Sequence, residues 1–207
     1  MMTPTSTLSL AAITFDLGNV LVRADHGRFC RGLAEVAGLS PEEVFEAVFA
    51  SDLEPALDTG RLSPREFYRQ VMDHFRVSLP YPRFCDLWND IFDPMEGMEE
   101  VVEHLMGRYA LFMLSNTNPL HFHYIRAKFP VVRHFPHCLL SYEVGSRKPQ
   151  GEIYQALIAR AGEPPGRILY LDDKLPFVEA ARAQGLVAWQ FTSPPDLMRQ
   201  LSQHGLW

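Results

Sequence analysis

The pattern of hydrophobic and polar positions divides the chain into three parts. Residues 13–22 contain two short apolar runs, and the first, which is typical of a buried strand, ends at Asp16. Between residues 23 and 93 the apolar residues recur three and four positions apart, as on one face of an amphipathic helix. From residue 94 onward, apolar runs of strand length alternate with helical patterns.

The middle part predicts a bundle of four helices. Two of them begin with a capping signal, because Ser40 and Ser63 are each followed by proline and, at the third position, by glutamate. No strand pattern separates the four helices, so the bundle is inserted after the first strand. Its aromatic residues recur at helical spacing, which favours the core for most of them and a pocket wall for a minority. These aromatic residues are Phe45, Phe49, Phe67, Trp88 and Phe92.

The third part predicts the remainder of a parallel sheet. Strands are predicted at residues 110–115, 137–141, 167–171 and 186–191, and helices at residues 95–106, 119–128, 150–161, 175–184 and after the sequence SPPD at 193–196. Alternating strands and helices argue for a parallel sheet covered by helices on both faces. The predicted fold is α/β: a Rossmann-like three-layer core with a parallel sheet, plus an inserted α-helical bundle. Residues 1–22 and 94–207 would form the core domain and residues 23–93 the bundle.

Composition and charge argue against several classes of function. The chain has 207 residues, of which 47% are hydrophobic and 21% charged, as in an ordinary globular protein. A net charge of −6 argues against binding to nucleic acid or to an anionic membrane. No apolar run approaches the roughly 20 residues that span a bilayer, and the N-terminus lacks the basic start of a secretory signal. The three cysteines have no metal-ligand spacing, so we expect them to be reduced thiols in a cytoplasmic protein. We also expect the protein to be a monomer or a homodimer.

Polar side chains of a few types follow the predicted strands. In open α/β sheets ligands bind beyond the carboxyl ends of the strands, so these side chains are expected to converge. The first strand is followed by Asp16, the second delivers Ser115, Asn116 and Thr117, the third is followed by Lys148, and the fourth by Asp172 and Asp173.

These residue types favour phosphoryl transfer. Clustered carboxylates repel one another unless a cation lies among them, and oxygen ligands in such a crevice favour Mg²⁺. A hydroxyl and an ammonium group beside the metal can hold a phosphate, and an aspartate can attack phosphorus to form an aspartyl-phosphate. We therefore predict a magnesium-dependent reaction of a small phosphorylated metabolite, with Asp16 as nucleophile and metal ligand.

Each of these residues alone also has an ordinary structural interpretation. An aspartate after a strand commonly forms a turn or caps a helix, and two in succession commonly lie in a loop. Only the combination at four strand ends carries the functional prediction. A response-regulator receiver domain uses the same residue types, but its acidic pair follows the first strand. Here the pair, Asp172 and Asp173, comes last, and the chain carries an additional helical bundle.

Four segments resemble the four motifs of the haloacid dehalogenase (HAD) superfamily of phosphohydrolases. These segments are FDLGNVLV, LSNTN, SRKPQGEIY and LYLDDKLPFVEAARAQG. The resemblance covers nearly the whole chain and includes the helical cap that lies between the first two motifs. Within the superfamily, the motif sequences are most similar to those of a group that includes bacterial α-D-glucose 1-phosphate phosphatases. The resemblance implies an Mg²⁺-dependent phosphatase whose substrate is a sugar phosphate.

The resemblance also implies a role for each motif residue. Asp16 would be the nucleophile and an Mg²⁺ ligand, and the backbone carbonyl of Gly18 a second ligand. Asp173 would bind the metal, and Asp172 would orient the water molecules bound to it. Some relatives carry a further acid at the position of Phe177, so this chain has a smaller set of carboxylates.

The other two motifs would hold the transferred phosphoryl group. Ser115 would donate a hydrogen bond to it, with help from the adjacent Asn116 amide. Lys148 would offset negative charge on both the nucleophile and the phosphate.

Gly18 departs from the pattern of the superfamily. Most of its phosphatases carry there an aspartate that protonates the leaving group, and such acid–base catalysis is typically worth about 10²–10⁴-fold. Three outcomes stay open. The substrate could have a good leaving group, such as an anomeric sugar phosphate; Asp25, His26 or a water relay could supply the proton; or the protein could bind phosphorylated ligands with little turnover. The structural interpretation of the glycine itself is a turn that requires a positive φ.

A 2-haloacid dehalogenase is an alternative to the phosphatase. It would use Asp16 to attack carbon, but the metal-type acidic pair and the missing tyrosine after the nucleophile argue against that reaction.

Two further predictions concern neighbouring residues. The loop at residues 23–28 is expected to contact the substrate. His121 and His123 are two positions apart and therefore do not share a helical face, so His121 is expected to pack near the second motif rather than bind metal.

Overall fold

The structure, a computed structural model, describes residues 9–207. Within this range there are seven strands: β1 Ala12–Phe15, β2 Val22–Ala24, β3 Phe92–Pro94, β4 Ala110–Ser115, β5 His137–Leu140, β6 Ile168–Asp172 and β7 Val187–Gln190. The first eight residues, which the prediction assigned to the core domain and which begin the segment inspected for a secretory signal, lie outside the described range.

Eleven helices connect these strands in the described part of the chain. Five lie between β2 and β3: α1 His26–Ala37, α2 Pro41–Val48, α3 Leu53–Asp58, α4 Pro64–Phe75 and α5 Tyr81–Asn89. Six follow β3: α6 Met98–Leu105, α7 Pro119–Lys128, α8 Ser141–Val144, α9 Gly151–Ala161, α10 Leu175–Ala183 and α11 Pro194–Gln203. None of these helices combines the length and apolar composition that crossing a bilayer requires.

Five strands form one parallel sheet in the order β5-β4-β1-β6-β7. Each agrees with its predicted strand to within one residue at either end. Neighbouring residues of β1 face opposite sides: Ile13 and Phe15 join a hydrophobic cluster with α6 and α11, whereas Ala12 joins a second cluster with α9 and α10. The predicted α/β fold, with helices on both faces of a parallel sheet, is therefore confirmed.

The insertion contains five helices rather than the predicted four. Both predicted capping boxes are present, because the hydroxyls of Ser40 and Ser63 accept hydrogen bonds from backbone N–H groups three residues later. The additional helix is α3. It has only six residues, one of them Pro55, so it lacks the periodic apolar pattern by which a helix is recognised in a sequence.

The chain enters and leaves the insertion side by side. Strands β2 and β3 form a small antiparallel sheet that the sequence did not predict, with Val22 opposite Pro94 and Ala24 opposite Phe92. One hydrophobic cluster runs from Phe15 in the main sheet into the inserted helices. The division into two domains at residues 23 and 93 stays a prediction.

The aromatic residues of the insertion pack around the buried Trp88. Its ring lies 4.8 Å from that of Phe29 and 4.7 Å from that of Phe67, measured between centroids. Phe67 and Phe92 are buried as well, which confirms the core interpretation for these three of the five predicted aromatic residues.

Candidate active site

The central strands β4, β1 and β6 end at one pocket. Its volume is about 250 Å³, and Asp16, Gly18, Ser115, Asn116 and Lys148 all line it. They meet because neighbouring parallel strands present their carboxyl ends at the same edge of the sheet. Asp172, at the end of β6, lies directly behind this wall and is fully buried.

Lys148 joins two carboxylates inside the protein. Its ammonium group donates hydrogen bonds to Asp16 Oδ1 at 2.6 Å, to Asp172 Oδ2 at 2.7 Å and to the carbonyl oxygen of Leu114 at 3.2 Å. Burial lowers the pKa of Lys148, but the two carboxylates outweigh this effect and raise the pKa above its ordinary value. The ammonium group therefore stays charged.

The positive charge of Lys148 does not fully compensate for the burial of the Asp16 carboxylate. Burial raises the pKa of Asp16, the Lys148 ammonium opposes this shift, and the net displacement is upward. A divalent cation beside the carboxylate would favour the ionised form that a nucleophile requires.

The two neighbouring acids after β6 differ in their hydrogen bonds. Asp172 uses both oxygens: Oδ2 accepts from Lys148 and from the Tyr170 hydroxyl, and Oδ1 accepts from the backbone N–H of Lys174 at 2.9 Å. Asp173 Oδ1, by contrast, is buried without a hydrogen-bond partner among residues 9–207. A buried carboxylate oxygen without a partner is costly unless a cation or water meets it.

The carboxylates also have a spacing that suits a metal. One oxygen atom each from Asp16, Asp172 and Asp173 lie within 4.8 Å of one another. An all-oxygen donor set with one unpartnered atom fits Mg²⁺. Because the protein already uses both oxygens of Asp172, Asp16 and Asp173 are the better candidates for direct ligands.

Asn116 is held by the protein rather than free to meet a ligand. Its side-chain amide donates to the Lys148 carbonyl at 3.0 Å and accepts from the Lys148 N–H at 2.8 Å. This pair fixes the loop that carries Lys148 against the end of β4. Only the main-chain N–H of Asn116 is thus left for the predicted phosphate contact. The Ser115 hydroxyl makes only a long contact of 3.4 Å to the Asn116 carbonyl, so it can turn toward the pocket.

The prediction that Gly18 requires a positive φ is wrong. The residue with left-handed backbone is Asn19, with φ of 57°, and its Oδ1 accepts a hydrogen bond from the Ala24 N–H at 3.1 Å. Asparagine tolerates this conformation well, so the turn does not need a glycine at position 18. A Cβ atom added to Gly18 would meet no heavy atom of the described chain within 4 Å.

The comparisons with known proteins agree with this geometry. A family model described as haloacid dehalogenase-like hydrolase matches residues 10–185. The chain belongs to this family. The family prediction made from the four motifs is therefore confirmed, whereas the finer likeness to glucose 1-phosphate phosphatases stays a prediction.

Two relatives of this HAD-like hydrolase are named phosphatases. The D-ribitol-5-phosphate phosphatase of Bacteroides thetaiotaomicron is 23% identical over 199 residues, which cover 92% of this chain and 96% of the relative. A sesquiterpene phosphatase, astK, of Aspergillus oryzae is 25% identical over 150 residues, covering 70% and 76%.

Solved structures support the same fold. A HAD family enzyme of Bacteroides thetaiotaomicron superposes with a TM-score of 0.85 at 22% identity, over 93% of this chain and 98% of the other. Its complex with magnesium and inorganic phosphate superposes with a TM-score of 0.81 at 22% identity, over 89% and 95%. A HAD-like hydrolase of Porphyromonas gingivalis gives 0.79 at 24% identity, over 93% and 98%.

The aromatic ring of Phe177 stands in the pocket of this HAD-like hydrolase, at the position where the motif resemblance implies an acid in some relatives. Phe177 lines the pocket, and its ring centroid lies 5.2 Å from the Lys148 ammonium nitrogen. At this distance the ring face stabilises a cation without adding a negative charge. Lys148 is therefore shared by two carboxylates and an aromatic face.

The inserted helix α3 adds two acids that sequence reasoning missed. Glu54 and Asp58 line the pocket, together with Arg147 and Lys174. An Arg147 guanidinium nitrogen lies 3.9 Å from Asp58 Oδ2 and 4.0 Å from Glu54 Oε2. No pattern pointed to these acids because α3 itself was not predicted. Arg147 was detectable only as the neighbour of Lys148.

Both acids of α3 hold protons more tightly than usual. Burial raises the pKa of Asp58 to about 6. Burial and then repulsion by the Asp58 carboxylate raise the pKa of Glu54 to about 7. At neutral pH a substantial fraction of Glu54 is therefore protonated.

The loop at residues 23–28 reaches the pocket only in part. Ala24 and His26 line it, and burial lowers the pKa of His26, so the imidazole is neutral at neutral pH. Asp25 is not among the lining residues; it caps α1 and pairs with Arg31 at 3.1 Å. Burial raises the pKa of Asp25, but hydrogen bonds from Arg31 and Gly27 and the charge of Arg31 together outweigh it and lower the pKa below its ordinary value. Neither candidate is suited to donate a proton to a leaving group.

A buried polar network ties the insertion to the second motif. Asn118 Oδ1 accepts from the Trp88 indole N–H at 3.3 Å and from the His121 N–H at 3.1 Å, and its Nδ2 donates to Asp58 Oδ1 at 3.2 Å. His121 stacks on Trp88 at 4.6 Å and contacts the Trp88 carbonyl oxygen through Nε2 at 2.9 Å. The predicted packing role of His121 is therefore confirmed.

We expect the substitution Asn118→Ala to lower the free energy of unfolding by about 2–4 kcal/mol. The change removes the hydrogen bonds that Asn118 makes to the Trp88 indole, the Asp58 carboxylate and the first turn of α7, in a buried place, since Asn118 is only 1% exposed. Urea denaturation of both proteins measures the difference.

Ser63→Ala is the matched control, because it removes an N-cap whose side-chain partner Glu66 is exposed to water. It should cost only about 1 kcal/mol. Equal losses in the two variants would mean that the network adds nothing beyond the helix cap.

Proposed function

We propose that this hydrolase is an Mg²⁺-dependent phosphatase that hydrolyses a small phosphate monoester through an aspartyl-phosphate on Asp16. The observation that carries the proposal is the buried arrangement in which Lys148 bridges Asp16 and Asp172, while Asp173 Oδ1 has no hydrogen-bond partner in the described part of the chain. Two relatives are named phosphatases, and a similar fold is described in complex with magnesium and inorganic phosphate.

Each residue has a definite part in the proposed reaction. Asp16 attacks phosphorus, and the bond from phosphorus to the leaving oxygen breaks. The Ser115 hydroxyl donates to a transferred oxygen, and the nearby positive charge of the Lys148 ammonium offsets the negative charge of the phosphoryl group. Asn116 positions Lys148. Asp16, Asp173 and the Gly18 carbonyl would hold Mg²⁺, which would supply further positive charge at the phosphate.

The insertion, residues 23–93, fits the role of a cap that selects the substrate. Helices α1, α2 and α3 contribute His26, Phe45 and Glu54 to the pocket wall, and Phe49, which follows α2 directly, lines it as well. Charged groups along one part of this wall and aromatic rings along another suit a small sugar or polyol phosphate, whose hydroxyls need polar partners. A small phosphorylated metabolite as substrate is consistent with the predicted cytoplasmic location. The three free cysteine thiols are also consistent with it.

The proposal predicts metal-dependent release of phosphate. With a panel of sugar, polyol and aryl phosphates, we expect turnover with Mg²⁺ and a loss of at least about 10²-fold after EDTA treatment, restored by added Mg²⁺. Phosphate release is measured directly, and chloride release from 2-chloropropionate in parallel.

Two results would contradict the proposal. Chloride release without phosphate release would favour the dehalogenase. Tight binding of phosphorylated compounds without turnover of any of them would favour the alternative that Gly18 suggested, a protein that binds phosphorylated ligands and does not hydrolyse them.

A further inference from the structure

An alkoxide leaving group needs a proton, and the surroundings of Asp16 do not offer one. Gly18 has no side chain, and Phe177 cannot titrate. The Asn19 amide is neutral, and its oxygen already binds the Ala24 N–H. Without general acid catalysis, a phosphatase acting on sugar or polyol phosphates would lose about 10²–10⁴-fold in rate. The other walls of the pocket are therefore where a donor has to be found.

Three basic side chains of the pocket are poor donors. Arg147 holds its proton at any physiological pH. Lys148 gives its hydrogens to Asp16, Asp172 and a carbonyl oxygen, and its raised pKa opposes proton transfer. His26 is neutral at the pH where the protein would act.

The two acids on α3 differ in how firmly they are held. Asp58 accepts a hydrogen bond from Asn118 Nδ2 at 3.2 Å and is 3% exposed, so it is a fixed part of the network that ties α3 to the core. Glu54 accepts no hydrogen bond from any of residues 9–207. Its closest basic neighbours are the neutral imidazole of His26, with Nε2 at 3.9 Å, and the Arg147 guanidinium at 4.0 Å, and its side chain is 17% exposed. Glu54 is thus free to meet a ligand.

Helix α3 is held firmly against the core. Just beyond its end, a Cβ atom added to Gly60 would lie 2.6 Å from the Tyr142 carbonyl oxygen, so this contact is possible only for glycine. Gly60 also has a positive φ of 71°. Together with the hydrogen bond between Asp58 and Asn118, this close approach fixes Glu54 in the wall of the pocket that contains Asp16.

We propose that Glu54, supplied by the insertion, is the proton donor and acceptor of this phosphatase and takes the place of an acid at position 18. The inference rests on the proposed function. It assigns the nucleophile to the core and the acid to the inserted helix α3, so both parts are needed for turnover of alkyl phosphates.

The steps balance in protons and electrons. As Asp16 attacks phosphorus and the bond to the leaving oxygen breaks, the Glu54 carboxylic acid gives its proton to that oxygen and an alcohol departs. The Glu54 carboxylate then takes a proton from water, whose oxygen attacks the phosphorus of the aspartyl-phosphate. The bond from phosphorus to Asp16 breaks, which releases inorganic phosphate and restores both carboxyl groups to their starting forms.

The decisive experiment compares leaving groups in Glu54→Gln. For the best alkyl phosphate of the panel, kcat/KM should fall by about 10²-fold or more. For 2,4-dinitrophenyl phosphate, whose leaving group needs no proton, kcat/KM should change by less than about 3-fold, because it reports only the formation of the phosphoenzyme. Hydrolysis of that intermediate should be slow, so dinitrophenolate should appear in a burst of about one equivalent per active site.

Three further variants serve as the control, the conservative substitution and the rescue for this comparison. Glu35→Gln, an exposed acid on α1, should leave both substrates unaffected. Glu54→Asp keeps an acid and should retain part of the alkyl activity, and thermal unfolding of each variant shows that the fold persists. Adding Gly18→Asp to Glu54→Gln should restore alkyl turnover, since position 18 has room for a side chain.

The pH profile gives an independent readout. The titratable and charged groups that face Glu54 are His26 from α1, Asp58 from α3, and Arg147 and Lys174 from the core loops. With a pKa of about 7 for Glu54, wild-type kcat/KM for the alkyl phosphate should fall as pH rises above neutrality. This alkaline limb should be absent from Glu54→Gln.

Several outcomes would overturn the inference. Equal losses on both esters without a burst would make Glu54 a binding or positioning residue. No loss at all, or the leaving-group signature in Lys174→Gln instead, would assign the proton to another group. A wild-type protein that hydrolyses neither ester would refute the proposed phosphatase itself, which is a different result from an active enzyme that is indifferent to Glu54.

Discussion

The substitution Asp16→Asn should reduce phosphate release by at least about 10³-fold and leave the fold intact. Asparagine has nearly the same shape but cannot attack phosphorus. Lys148 keeps its bonds to Asp172 and to the Leu114 carbonyl oxygen. One of two buried carboxylates that share a single ammonium group is removed, so the variant should be at least as stable as the wild type.

Acid-quenched reactions analysed by mass spectrometry test the chemistry directly. Wild-type protein should carry a phosphoryl group on the peptide that contains Asp16 during turnover, and the variant should not. Asp25→Asn is the matched control, because Asp25 is exposed outside the pocket and asparagine also caps a helix well. Retention of more than a tenth of the activity by Asp16→Asn would exclude Asp16 as the nucleophile.

The substitution Lys148→Met should abolish turnover and also lower the free energy of unfolding at pH 8 by about 3–5 kcal/mol. It leaves Asp16 and Asp172 buried, at 7% and 0% exposure, without the cation that joins them. The pKa of Asp16, which burial already raises above its ordinary value, should then rise further. Such a shift reduces stability as pH rises and costs little where the Asp16 carboxyl group is protonated, so the loss should be smaller at pH 5.

Urea denaturation at both pH values, without divalent metal, measures this effect. Lys128→Met removes an exposed lysine and should change stability by no more than about 0.5 kcal/mol. Adding Asp16→Asn to Lys148→Met should recover part of the loss, because one buried charge disappears. A Lys148→Met variant as stable as Lys128→Met would show that the buried ion pairs do not support the fold.

Much of the fold was predictable because its signals are local. The strand at 110–115 and the helix at 119–128 coincide with the predicted ranges, since a short apolar run marks the strand and an Asn–Pro pair marks the start of the helix. Helix α3 was missed because six residues that include a proline carry no period. The β2–β3 pair was missed because its register depends on residues about seventy positions apart.

The residues of the candidate site also differ in whether the sequence could predict them. Asp16, Ser115 and Asp172 follow from one general rule, that parallel strands deliver their carboxyl ends to one edge of a sheet. Glu54 and Asp58 reach the pocket only because α3 packs on the core through contacts that are remote in sequence. An ordinary acidic residue in an unrecognised helix gives no sign of such a position.

The α/β fold class, the helical insertion and the set of residues at the strand ends could be predicted, because periodicity, capping and strand order can be recognised along the chain. Only the folded protein shows that Lys148 is shared by two carboxylates, that Asn116 holds the lysine loop, that Asn19 rather than Gly18 makes the turn, and that Glu54 lies in the pocket wall. Burial and charge pairing between distant residues set these features, and both arise only when the chain has folded.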